Sequence, residues 1–145
     1  MPPIAQNILA VVAGIIIGSI VNMAIVMVGP MVIPLPEGVD MSDMEAFAEN
    51  LKQLKPANFI APWLAHALGT LAGAFVASKL ATNHQLKFAL GIGAFFLLGG
   101  ITVVVAYGGP LWFAVLDLAG AYLPMAYLGG LAGRNKPGEP ADQAG

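Results

Sequence analysis

Of 145 residues, 58% are hydrophobic and only 10% charged, so about half the charge that coats a soluble domain is missing. The chain has no cysteine and a net charge of −2. That excludes disulfides, thiolate metal sites and cysteine catalysis, and it leaves no basic patch for nucleic acid. A mean hydropathy of +0.80 over one domain's length points to a chain that lives in a bilayer.

The N-terminal run "MPPIAQNILAVVAG" has no Lys or Arg and no small-residue cleavage site, so its apolar segment is expected to persist as a span. Four segments approach the roughly 20 apolar residues that a membrane helix needs: 8–28, 59–80, 86–107 and 111–131. The expected fold is an all-α membrane protein, a four-transmembrane-helix bundle over residues 1–134. Residues 135–145, rich in Gly, Pro and polar side chains, read as a disordered tail.

Between the first two spans lies a long acidic loop. Ser42 and Glu45 have the spacing of a capping box and Pro56 supplies a stop. Met44, Phe47, Ala48, Leu51 and Leu54 recur at helical spacing. This predicts a short amphipathic extracytoplasmic helix over 43–55 that covers one mouth of the bundle. Lys79, Lys87, Arg134 and Lys136 fall at the opposite end from Glu37, Asp40, Asp43, Glu45 and Glu49. The positive-inside rule then expects both termini in the cytoplasm, with Trp63, Tyr107 and Trp112 as anchors at the outer interface.

Asp117 is the one charged residue well inside a predicted span, and His66 the one intramembrane group able to become cationic. At ~1.5 Å per residue, Asn22, His66, Thr102 and Asp117 come to a common depth of roughly 9–11 Å below the outer boundary. Each also shares a face with small residues: Gly14, Gly18 and Ser19; Gly69, Thr70, Gly73 and Ala77; Gly91, Phe95 and Gly99; Gly120, Ala121 and Pro124. Small residues are where membrane helices meet. The expectation is a buried polar site of His66, Asp117, Asn22 and Thr102, with Ser19, Thr70 and Tyr107 around it. Pro124 should free a carbonyl and kink the last helix.

Intramembrane ionisable groups mark pathways for ions, protons or solutes, and imidazole titrates near neutral pH. A small-solute, proton or cation transporter or binder is therefore expected. The alternative is an accessory subunit of a larger complex, with the four residues serving as interhelical hydrogen-bond glue. No second carboxylate or nucleophile–base motif supports an enzyme. No cofactor is expected. Cu(I) at Met23, Met27, Met31, Met41 and Met44 is the one metal option, since thioethers favour that ion, but Met23 and Met27 lie about 100–140° around the helix from Asn22. Gly14/Gly18 and Gly69/Gly73 fit a small-xxx-small contact, within the bundle or between copies in a homo-oligomer. A weak internal repeat aligns Asn22 with Thr102.

The stretches "PWLAHALGTLAGAF" and "DLAGAYLPMAYLGG", with the Pro-rich acidic loop, resemble a group of small four-span bacterial inner-membrane proteins. The resemblance covers the chain to about Arg134. It implies a location and no activity.

Overall fold

The computed structural model describes residues 1–135; the predicted tail beyond Asn135, with Lys136, Glu139 and Asp142, lies outside them. Helix α1 runs over Pro3–Val32, α2 over Phe47–Gln53, α3 over Ile60–Leu80, α4 over Gln85–Tyr107, α5 over Leu111–Gly120 and α6 over Leu123–Gly133. A single 3₁₀ turn, Pro56–Phe59, leads into α3. No strand occurs among the described residues. Four helical stretches are long and apolar enough to cross a membrane: Pro3–Val32, Pro56–Leu80, Gln85–Tyr107 and Leu111–Gly133. By length and composition, this is a multi-pass membrane protein.

The first span is longer than its apolar core predicts, because both ends are extended by residues that helices accept. Pro3 sits in the first turn, where no N–H is needed. Gly29-Pro30, expected to end the span, is instead carried inside it to Val32. At the opposite end of the bundle, Asn7 ties α1 to the α3–α4 turn. Its Oδ1 accepts from the Thr82 N–H at 2.9 Å and hydroxyl at 3.0 Å, and its Nδ2 donates to Asn83 at 3.0 Å. His84 closes that turn at φ 46°.

Helix α3 is the centre of the bundle, packed against α1, α6 and α4, whereas α1 and α4 scarcely touch. The α1–α3 contact is backbone on backbone. A Cβ at Gly14 would stand 2.7 Å from the Gly73 carbonyl oxygen, and one at Gly18 would stand 2.8 Å from that of Gly69. Both small-xxx-small pairs are thus consumed within the chain, by van der Waals contact. Nearer the termini, Ala74, Ala77, Ala89, Ile92 and Ala126 form a solid core. There the buried Ser78 hydroxyl donates to the Gly130 carbonyl at 2.8 Å.

The predicted inward face of α4 is wrong by about one residue, or ~100°. Gly91, Phe95, Gly99 and Thr102 are all exposed, and Ala89, Ile92 and Gly93 are buried instead. The reason is tight contact across to α5 and α6. A Cβ at Gly93 would meet Ala126 at 2.5 Å, and one at Gly100 would meet the Tyr122 hydroxyl at 2.5 Å. Among the described residues nothing lies within 4 Å of a Cβ at Gly91 or Gly99, so their small size serves no contact there.

The long loop also differs from its predicted form. Ser42 and Glu45 form no capping box. The Ser42 hydroxyl and N–H both donate to Asp40, at 2.6 and 2.9 Å. Asp43 accepts from the N–H groups of Glu45 and Ala46 at 3.0 and 3.2 Å, and the helix starts only at Phe47. An Asp with two backbone donors outcompetes a Ser already held by its neighbour. Phe47 meets Tyr107 edge-on, with ring centroids 4.9 Å apart.

Candidate functional site

A cavity of about 600 Å³ opens in the half of the bundle nearer the long loop. Its walls are mostly apolar: Met23 and Val26 from α1, Phe59 below the loop, Phe96 and Val103 from α4, and Phe113 from α5. Phe47, Leu51 and Leu54 line it at the loop end. Helices α1 and α4 are closest where Gly14 faces Ile92 and Gly18 faces Phe96. Beyond that level the cavity separates them.

His66 and Asp117 meet at its base. Nδ1 of His66 lies 2.8 Å from Oδ1 and 2.9 Å from Oδ2 of Asp117. Asp117 is only 3% exposed, and its Oδ2 also accepts from the Tyr122 hydroxyl at 3.1 Å. The Tyr122 ring stacks on the imidazole, with centroids 5.6 Å apart. When Asp117 is ionised it only accepts, so Nδ1 then carries the proton and Nε2 of the neutral ring is an acceptor. His66 lines the cavity, and among the described residues nothing hydrogen-bonds its Nε2.

Local sequence explains why these groups converge. His66 lies on the same α3 face as Gly69 and Gly73, so the contact that seats α3 on α1 also sets the imidazole's direction. Asp117 and Tyr122 are five residues apart, about 140° apart on a continuous helix. They reach one another because the fourth span breaks. Tyr122 adopts φ −112°, ψ −80° between α5 and α6, and Pro124 can offer no N–H to continue the ladder. Discontinuous backbone at membrane depth is tolerated where it borders a cavity. Pro124 does more than kink the helix: its break recruits Tyr122, which a continuous helix would hold on another face. The legible signal was the proline two residues on.

The other expected members divide. Asn22 is half-buried and lines the cavity, as does Ser19, without a hydrogen bond to His66. Thr70 lines it too, 1% exposed, and its hydroxyl has no partner among the described residues. Thr102 does not belong. It is exposed and donates to the Leu98 carbonyl of its own helix at 2.8 Å, which removes any need for an interhelical partner. Tyr107 sits at the loop end against Phe47. Met23 and Met41 line the cavity, whereas Met27, Met31 and Met44 point away into exposed positions. Among the described residues, no cluster of three His, Asp or Glu side chains is placed to hold a metal.

These features define a class, a four-span helical membrane protein with an Asp–His–Tyr group at the base of an apolar cavity. No family model, curated protein or solved structure matches the chain.

Proposed function

We propose that the chain is a multi-pass protein of a bacterial cytoplasmic membrane that binds and passes a small solute, proton or cation through the His66–Asp117 site. The carrying observation is that Asp117 ties Nδ1 of a histidine that lines the cavity and whose Nε2 has no hydrogen-bond partner among the described residues. A proton taken up at Nε2 creates an imidazolium directly against a carboxylate already held by Tyr122. Such preorganised stabilisation lets a charge exist at membrane depth, where an unpaired one is expensive. Glue alone has no need of a titrating pair, since ordinary interhelical hydrogen bonds average only ~0.6 kcal/mol.

In this reading the termini are cytoplasmic, the acidic loop is outside, and α2 is an amphipathic cover over the outer mouth. Lys79, Lys87 and Arg134 at the terminal end support that orientation. The apolar side chains of α2 line the cavity, and Glu49 and Lys52 pair on its exposed face at 2.7 Å. Because the chain has no cysteine, Glu49→Cys and Lys87→Cys report topology cleanly. They should label from opposite sides, and labelling from one side removes the orientation.

The site itself is tested by proton flux into dye-loaded proteoliposomes under an imposed potential. The wild type should carry protons. Asp117→Asn and His66→Gln should not, while still eluting as assembled protein. Equal flux in all three, or none in the wild type, sinks the reading.

A further inference from the structure

Thr70 and Thr102 are both threonines within long apolar helices, and they treat their hydroxyls differently. Thr102 donates to the carbonyl four residues back at 2.8 Å, the usual refuge of a threonine in a helix. Thr70 leaves its Oγ1 unpaired although it is 1% exposed. A buried hydroxyl without a partner is costly and calls for an explanation. Thr70 lines the cavity, and one turn away on α3 so does His66 with its unpartnered Nε2. Side chains four apart on a helix have Cβ atoms about 5–6 Å apart. One oxygen between them can reach both.

We propose that the cavity takes a neutral, largely apolar alcohol or phenol whose hydroxyl donates to His66 Nε2 and accepts from Thr70 Oγ1. This rests on the part of that reading in which His66–Asp117 binds a ligand, not on transport, and it adds the ligand's chemical class. A hydroxyl is the smallest group that both donates and accepts, which is what the two side chains together ask for. The walls suit an apolar body, and about 600 Å³ lies within the roughly 300–1,000 Å³ of small-molecule sites.

Charged ligands fit less well. Both Asp117 oxygens already accept from His66 or Tyr122 and the residue is only 3% exposed, so little of the carboxylate is open to an organic cation. An organic anion would face the Asp117 carboxylate as the nearest charge. The route in is also apolar. Met23 of α1 and Val103 of α4 line the cavity while remaining 57% and 45% exposed. A ligand dissolved in the bilayer can therefore enter between those helices.

The test uses the full chain in lipid nanodiscs with 1-naphthol as probe. Naphthalene, 1-naphthoate and 1-naphthylmethylammonium serve as matched neutral, anionic and cationic comparisons. Binding is read by naphthol fluorescence and by the ¹⁵N shifts of labelled histidine. The chain has two histidines, so His84 in the far turn is an internal reference. Naphthol should bind saturably and move the His66 Nε2 resonance but not that of His84. Thr70→Val should weaken naphthol about fivefold, the worth of one hydrogen bond, and leave naphthalene unchanged. Thr70→Ser should restore it.

Naphthalene binding as tightly as naphthol, either ion displacing naphthol, or no saturable binding would each overturn the proposal. If Thr70→Val fails to assemble, the Nε2 shift in the unmutated chain decides alone. Proton flux measured on the same preparation separates the two readings. Flux without naphthol binding removes the alcohol, whereas naphthol binding without flux removes transport and leaves the ligand site standing.

Discussion

The half of the bundle near the termini and the half near the long loop use the same small and aliphatic residues to opposite ends. In the first, Gly73 lies on Gly14, Ala77 and Ile92 close the core, and the Ser78 hydroxyl is satisfied by Gly130. In the second, α1 and α4 part around a cavity, the fourth span unwinds, and the Thr70 hydroxyl is left without a partner. The difference teaches where this chain gives up packing. It does so around His66 and Asp117, the pattern expected when local structure serves a site.

That contrast can be broken hardest at the glycines. Gly73→Val should destabilise the bundle by about 3 kcal/mol, because its Cβ meets the Gly14 backbone and the helices must part. Gly91→Val on α4, where nothing lies within 4 Å, should cost about 0.5 kcal/mol or less. Reversible unfolding followed by circular dichroism compares the two. Equal losses would mean that α4 is as tightly packed there as α3.

Next in size is the site. Asp117→Asn replaces an acceptor-only group that receives His66 and Tyr122 by an amide whose NH₂ can accept neither, at a cost of about 2 kcal/mol. Tyr122→Phe removes only one donor and should cost about 1 kcal/mol, while shifting the His66 Nδ1 resonance. An unchanged resonance would show that Tyr122 does not act through Asp117.

The two buried hydroxyls sharpen the comparison further. Ser78→Ala should lose about 0.6 kcal/mol, the typical worth of an intramembrane hydrogen bond. Thr70→Val should be neutral or stabilising in ligand-free protein, since it removes an unsatisfied group. Destabilisation of similar size in both would point to a hidden partner for Thr70.

The smallest expected effect is in the loop. The Ser42 hydroxyl, and then its N–H, hold the Asp40 carboxyl below the usual carboxylate range. A carboxyl whose folded pKa is depressed contributes order above its ordinary value and loses it as pH falls through the lowered one. Exchange protection of the Ser42 amide should therefore fall in acid, and Asp40→Asn should flatten that dependence.

Much of this was legible beforehand, because the strongest constraints on a membrane chain are local. Span number follows from the length of apolar runs, and Gly14, Gly18, Gly69 and Gly73 marked faces fit for close approach, although only the structure shows that they meet one another. The meeting of His66 and Asp117 followed from depth and face on separate helices. Thr102 was misjudged and Tyr122 missed for one shared reason. Helical periodicity gives a residue's angle only while the helix is continuous and its contact partner is known. Thr102 lay on a glycine face of α4 where no described residue packs against Gly91 or Gly99, and Tyr122 lay beyond a break whose new direction no periodicity encodes.

Composition and hydrophobic run length by themselves determined that this chain is helical, crosses a bilayer and hides a few polar groups, because hydrocarbon penalises every unsatisfied one. The rotation of α4, the unwinding at Tyr122 and the opening between α1 and α4 were decided only by tertiary structure. Each depends on which of several nearly equivalent small-residue faces found a partner, and van der Waals packing between helices settles that over the whole bundle at once.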